Sequence, residues 1–399
     1  MSLNDTPRAN RLHIGLYGRR NSGKSTLVNA LTGQQVATVS AVPGTTTDPV
    51  YKAMELHGIG PVVFIDTAGF DDVGDLGKLR VEKTELAAKE TDIALVLFKD
   101  ADISEELDWV KKFQAVKTPV IAVISQIDKL SDKGKALQAR IKAETGKQAI
   151  MVSAAAGDGI EALRAEMIRQ LPEDYEQESI TGSLCQAGDV VLLVMPQDNQ
   201  APKGRLILPQ VQTLRELLDK KCLVMSCTTD CLENTLAALT KPPKLIITDS
   251  QAFKAVHALK PAASLLTSFS VLFAGFKGDI NYFVESAKKL KSLPPKAHIL
   301  IAEACTHRPL SEDIGRIKLP RLLRKTLGED LQIDITAGRD FPKNLSGIDF
   351  VIHCGACMFN RKYVLSRVAE CQAQNIPMSN YGVTIAALLG ILADVDLPK

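Results

Sequence analysis

"LHIGLYGRRNSGKSTLVNALTG", residues 12–33, decides the fold of the first part of the chain. Its opening "LHIGLYG" reads as a buried strand, the glycine-containing stretch after it as a turn, and "KSTLVNALTG" as a helix closed by Gly33. Gly18, Gly23, Lys24 and Ser25 fall at the spacing of a phosphate-binding loop. In such a loop glycines let successive backbone N–H groups curl around phosphate oxygens, the lysine neutralises their charge, and the hydroxyl that follows ligates Mg2+. Strand, loop and helix in that order are the context the motif requires.

Working outward, the apolar runs "VVFIDTAG" (62–69), "IALVLF" (93–98) and "VIAVISQID" (120–128) alternate with the helical patterns "KLRVEKTELAAKE" (78–90) and "ISEELDWVKKFQ" (103–114). This alternation predicts a doubly wound, mostly parallel sheet. After the helix "GIEALRAEMIRQL" (159–171), the polar, acidic "PEDYEQESITGS" (172–183) reads as a linker. A second α/β segment follows, with strands at "DVVLLVMP", "CLVMSC" and "KLIITD". A softer boundary near residue 260 leads into a third, with strands at "AHILIAEAC", "LQIDITAG" and "IDFVIHCGAC". The expected fold class is α/β: an N-terminal P-loop domain at 1–175, then two smaller α/β domains at 180–260 and 261–399.

The 399 residues carry a net charge of +2, which gives no electrostatic case for nucleic acid or for an anionic membrane. The first residues lack the apolar core of a secretory signal, and the longest apolar stretch, "VTIAALLGIL" (383–392), is too short to span a bilayer. A cytoplasmic location is expected. There, eight cysteines are better read as buried thiols or metal ligands than as a disulfide framework.

Three further segments complete a nucleotide site. "PGTTTD" (43–48) offers Thr46 to Mg2+ and a γ-phosphate, and "DTAG" (66–69) offers Asp66 behind the metal and the Gly69 amide toward the γ-phosphate. "SAA" (153–155), with Ser153 and Ala154, stands where a resemblance to known GTPases implies a guanine-supporting loop. In this order they resemble the GTPases of the Era and tRNA-modification branch. That resemblance implies GTP as ligand, with Gly18, Asn21, Ser22, Gly23, Lys24, Ser25 and Thr26 around its phosphates and Ser25 and Thr46 on Mg2+. Where that branch has Asn-Lys-x-Asp, this chain has Ser125-Gln126-Ile127-Asp128. Asp128 can still accept from guanine N1 and N2, so guanine is the expected base, with adenine left open. Phe70 follows "DTAG" where Ras-like enzymes orient water with a glutamine, so hydrolysis is expected to be slow. Asn21 lies where the related branch holds K+; shaping the loop is its other reading.

The last motif is "HCGAC" (353–357), at the end of an apolar run. "LIAEACTHRP" (300–309) is a second such run and presents Cys305 and His307, with 46 residues between His307 and Cys354. In a parallel layer both loops lie at the carboxyl edge of the sheet, where Cys305, Cys354 and Cys357 can converge. The helix beginning near Asn360 adds N-terminal amides that favour an anion. A closed zinc site of three cysteines and a histidine, or a 4Fe-4S cluster on three cysteines, both fit this spacing.

A GTPase of the Era branch, a middle α/β segment and this cysteine pattern together resemble the HydF family of FeFe-hydrogenase maturation factors, over essentially the whole chain. The resemblance implies a homodimeric scaffold whose 4Fe-4S cluster, held by Cys305, Cys354 and Cys357, carries a diiron precursor with CO and cyanide ligands. It implies receipt of that unit from the radical SAM maturases HydE and HydG, and its transfer to apo-FeFe-hydrogenase under the control of slow GTP hydrolysis. The fourth site would be open or weakly occupied, with His307, His353 or Glu303 as candidate ligands; each histidine could instead orient a cysteine loop by a hydrogen bond. The rival reading is a tRNA-modifying or ribosome-associated GTPase with a structural zinc domain, and a thiol-redox enzyme is a third.

Overall fold

The strand expected at the start of the phosphate loop is β1, Leu12–Tyr17, and all six of its residues are buried, as befits a strand covered on both faces. The structure is a computed structural model and describes residues 6–33, 49–69, 75–130, 133–172, 179–196, 206–304 and 314–398. The chain divides into two units, Met1–Glu176 and Gln177–Lys399.

In the first unit β1 is joined by β2 (Val50–Leu56), β3 (Gly60–Asp66), β4 (Ile93–Phe98), β5 (Val120–Ile124) and β6 (Ile150–Met151). Their order is β2-β3-β1-β4-β5-β6, with β2 and β3 antiparallel and the other described pairs parallel. Alternation along each strand sends residues to opposite faces. Leu12, Ile14 and Leu16 meet Leu27, Val28 and Leu31 of the helix Lys24–Thr32 on one face. On the other, Ala94, Val96 and Phe98 meet Trp109, Val110 and Phe113 of the helix Ser104–Ala115. Trp109 stacks on Tyr17 with ring centroids 5.2 Å apart, which makes it a packing residue.

Among the described residues the second unit holds two sheets. β7 (Val190–Val194), β8 (Leu223–Cys227), β9 (Leu245–Thr248) and β10 (Leu265–Ser268) pair in the order β10-β9-β7-β8, all parallel. β11 (His298–Glu303), β12 (Gln332–Ala337), β13 (Phe350–His353) and β14 (Met378–Asn380) pair in the order β12-β11-β13-β14, again all parallel. β10 lies beyond the boundary expected near residue 260, yet it belongs to the first of these sheets. One apolar core joins Leu192, Ile246 and Leu266 to Ile299, Ile301 and Val351, so the two sheets share an interior.

The apolar stretch "VTIAALLGIL" begins inside the helix Tyr381–Leu388, where Val383, Ile385, Ala386 and Leu388 pack into that core. Asn380 caps this helix by accepting from the backbone N–H groups of Gly382 and Val383. Among the described residues no helix is long and apolar enough to cross a membrane.

Candidate functional site

β1 and β3 run parallel with Leu16 opposite Asp66, so the phosphate loop and the "DTAG" segment leave the sheet side by side. Gly23 sits at φ +86°, a left-handed conformation that glycine adopts without a Cβ clash, and caps the helix Lys24–Thr32. Gly18 is required for space: a Cβ there would lie 2.8 Å from Ser22 Oγ and 3.0 Å from the Leu97 carbonyl. Lys24 is buried and its ammonium donates to the carbonyls of Gly18 (2.7 Å) and Arg19 (2.9 Å), closing the loop on itself. Ser25 Oγ donates to Asp66 Oδ2 at 2.6 Å. A hydroxyl and a buried carboxylate so joined are the donor set that Mg2+ requires, and the helix N-terminus beside them favours phosphate.

The base-reading segment closes the site from the other side. Gln126, at φ +54°, donates from Nε2 to the Asn21 carbonyl at 2.8 Å, which ties the segment to the phosphate loop. Ser153 Oγ donates to Asp128 Oδ1 at 2.7 Å, and this bond holds the Asp128 carboxyl below its ordinary range. Asp128 therefore stays an acceptor, as guanine recognition needs. A cleft of about 230 Å3 is lined by Gly23, Thr26, Gln126, Asp128, Lys129 and Ala154. Lys129 escapes sequence reasoning because it lies one residue past the motif, yet its ammonium donates to Gln126 Oε1 at 3.1 Å. Thr46 and Phe70 lie outside the described residues; Gly69 is described, following β3.

The loop is also anchored from outside the motif. The Arg19 guanidinium faces Asp102 at 3.1 Å, Glu105 at 3.2 Å and Glu106 at 3.4 Å, and Lys99 donates to the Arg20 carbonyl at 2.9 Å. Burial pushes the Glu106 carboxyl from its ordinary 4.5 up to about 7, with Arg19 pulling it partly back. A carboxyl raised on folding contributes stability that is present below pH 4.5 and lost as pH rises through about 7. Wild type should therefore lose about 2 kcal/mol relative to Glu106→Gln between pH 5 and 8. Thermal melts of both proteins across that range check it: a pH-independent difference would show that Glu106 is not held protonated.

In the second unit the cysteine turn follows β13. β11 and β13 are neighbours, with Ala302 opposite His353, so Ala304 and Cys354 emerge at the same carboxyl edge. The Ala304 N–H donates to Cys354 Sγ at 3.0 Å and the Ala356 N–H does so at 3.4 Å. Burial raises the Cys354 thiol above its usual range, while these two donors favour the thiolate. A sulfur that already receives backbone N–H groups suits a metal-bound thiolate, whose negative charge such bonds stabilise. Cys357 lies on the same turn and is half-buried. Cys305, which directly follows Ala304, and His307 lie outside the described residues.

His353 is buried between the turn and Arg367, and both of its ring nitrogens are engaged. Nε2 meets Arg367 Nη1 at 2.8 Å and Nδ1 meets the Cys354 carbonyl at 2.7 Å. Because arginine can only donate, Nε2 accepts and the proton sits on Nδ1. Burial, with the Arg367 charge, lowers the His353 pKa to about 3. His353 thus braces the turn through both ring nitrogens. Glu303 is likewise engaged, accepting from Arg316 Nε at 3.1 Å and from the Tyr381 hydroxyl at 3.5 Å.

Comparison with known families adds a family for the second unit to this geometry. The dimerization domain of hydrogen maturase F matches residues 180–278 and its tetramerization domain matches 281–395, together more than half of the 399 residues. The chain belongs to the hydrogen maturase F family. A family model described as 50S ribosome-binding GTPase matches residues 13–126, so this hydrogen maturase F chain carries a GTPase domain ahead of the two family-specific segments. Among curated relatives, the tRNA modification GTPase MnmE of Nitrosomonas europaea is 36% identical over 160 residues, 40% of this chain and 34% of that protein. MnmE of Ralstonia nicotianae is 33% identical over 164 residues, 39% of this chain and 34% of that protein. The chain thus spans about a third of the length of the curated relatives it matches. Among solved structures, Era in complex with MgGDPNP and a 16S ribosomal RNA segment is 20% identical, covering 54% of this chain and 92% of that one at a TM-score of 0.37.

Proposed function

We propose that the chain is a scaffold of FeFe-hydrogenase maturation, which binds a 4Fe-4S cluster, carries a diiron precursor and delivers it to apo-hydrogenase. The observation that carries this reading is the Cys354–Cys357 turn at the carboxyl edge of its sheet, with Cys354 Sγ receiving the N–H of the residue before Cys305. Family membership supports it. Cys305, Cys354 and Cys357 are the cluster ligands, and the cluster supplies an iron with an exchangeable position to which the cargo can attach. With His353 engaged on both nitrogens, His307 is the remaining histidine for that position. The Ala304 and Ala356 amides stabilise a Cys354 thiolate, and the Asn360-capped helix Arg361–Ala373 begins just beyond the turn.

The GTPase domain acts as a slow regulator of partner exchange. Lys24 neutralises the phosphates, Ser25 and Thr46 ligate Mg2+, Asp66 stands behind the metal, and the Gly69 amide contacts the γ-phosphate. With Phe70 after "DTAG", no glutamine orients the attacking water, which fits slow turnover. Asn21 holds K+, and Asp128, Ser153 and Ala154 receive guanine. The partners are the radical SAM maturases HydE and HydG and apo-FeFe-hydrogenase, met in the cytoplasm.

The chain works as a homodimer that pairs through β8. This edge strand exposes Leu223 and Met225, and its Leu223 N–H turns inward to the Asp189 carbonyl at 2.8 Å. Alternation then turns the Ser226 N–H outward. Ser226→Pro removes an outward donor and leaves the pairing with β7 intact, so it should convert dimer to monomer in light scattering with an unchanged far-UV spectrum. A dimer that survives would rule out this edge.

Transfer itself is tested by mixing the reconstituted, precursor-loaded chain with apo-FeFe-hydrogenase and following hydrogen evolution. Activation that depends on the loaded chain supports the carrier role. No activation, with zinc retained by the purified protein, would favour a GTPase with a structural zinc domain.

A further inference from the structure

Lys277 ends the helix Phe269–Lys277 and is 2% exposed. Its ammonium donates to the carbonyls of Phe359 at 2.7 Å, Ala356 at 3.1 Å and Cys357 at 3.4 Å. All three belong to the turn that leads from Cys354 into the helix Arg361–Ala373. Within that turn Ala356 sits at φ +48°, a left-handed conformation that is strained for a residue with a Cβ and persists where its surroundings hold it. A second cation crosses in the opposite direction. Arg361 Nη1 donates to the carbonyls of Phe276 and Gly278, each at 3.3 Å, so the end of one helix and the cysteine turn are clasped from both sides.

Three carbonyls could be satisfied by a neutral donor, and burying an ammonium costs several kcal/mol more than burying an amide. A fixed positive charge has a use at a cluster site that an amide lacks. A 4Fe-4S cluster on three thiolates is an anion whose charge grows by one on reduction, so a nearby cation favours the reduced form. We propose that Lys277 is the positioning residue of the cysteine turn, holding the backbone of Cys354–Phe359 in shape and raising the reduction potential of the cluster bound there. This rests on the cluster reading given above.

The test is a redox titration, followed by EPR, of the full-length chain reconstituted anaerobically with iron and sulfide, for wild type, Lys277→Gln and Lys277→Met. The glutamine retains N–H donors without charge, whereas methionine removes both. For Lys277→Gln the ratio of reduced to oxidised cluster at a fixed potential should fall about tenfold, which for one electron is a shift of about 59 mV to lower potential, with iron content unchanged. Lys277→Met should in addition lose iron several-fold faster to a chelator. Thermal melts of the apo proteins complete the test. An unchanged potential in Lys277→Gln overturns the proposal, and so does an apo Lys277→Gln that no longer folds, since Lys277 would then be a packing residue. Loss of the cluster from a folded Lys277→Gln likewise overturns it, since the retained N–H donors should keep the turn in shape. Wild type that takes up zinc and no iron removes the cluster reading itself, an outcome that needs no variant to recognise.

Discussion

Cys354→Ser is expected to cut the iron retained after anaerobic reconstitution from about four per chain to well below one, while GTP turnover stays at the wild-type rate. Serine offers iron a hard, weakly acidic oxygen in place of a soft thiolate, and its shorter Cβ–O bond draws the donor back from the cluster. It also weakens the two N–H bonds from Ala304 and Ala356 that converge on this sulfur, at 3.0 and 3.4 Å. Of the described cysteines, this one joins both strands of the site, because Ala304 follows β11 and Cys354 follows β13. Iron and sulfide analysis with parallel GTPase assays checks the prediction. Retention of a full cluster would remove Cys354 from the ligand set, and a simultaneous loss of GTP turnover would deny that the two sites are separate.

Asp66→Asn should act in the opposite direction, lowering GTP hydrolysis by roughly a hundredfold or more with the cluster content intact. The carboxylate is buried at the end of β3 and accepts from Ser25 Oγ at 2.6 Å, so it fixes the hydroxyl proposed above as a Mg2+ ligand. The amide keeps the shape and removes the charge. An amide nitrogen turned toward Ser25 would also oppose a metal with a donor where an acceptor is needed. Phosphate release under saturating Mg2+ measures the effect, and a rate within a few-fold of wild type would mean that Asp66 does not support the metal.

Much of this was legible in the sequence because backbone chemistry imposes it. The phosphate loop needs Gly18 and Gly23 where a Cβ or a right-handed φ fails, and β1, β4 and β5 are apolar runs because they are covered on both faces. "HCGAC" and "LIAEAC" announce strand ends at a carboxyl edge, while the pairing of β11 with β13 is set by the fold. What pattern does not carry is which sheet a strand joins. The sequence marks only a soft boundary near residue 260, whereas "LLTS" just beyond it forms β10 and pairs with β9 rather than opening a new domain.

The supporting cations were hidden for a related reason. Lys277 closes an apolar helix and looks like an exposed C-terminal lysine, although the residues before it, "FSVLFAGF", leave little solvent-facing surface. Arg367 lies four residues after Tyr363 and between Val364 and Cys371 on a helix face that turns inward, and that spacing is a signal of burial. Neither position can be tied to the cysteine turn without the fold, because Lys277 reaches it across 79 residues of chain and His353 meets Arg367 from a different element.

The central claim is that the turn at Cys354 and Cys357 holds an iron–sulfur cluster, and the most direct measurement is EPR of the reduced protein after anaerobic reconstitution, with iron counted per chain, for wild type and Cys357→Ser. The account predicts a reduced-cluster signal with about four irons per chain that is lost or altered in the variant. A colourless wild-type protein retaining one tightly bound zinc would contradict it.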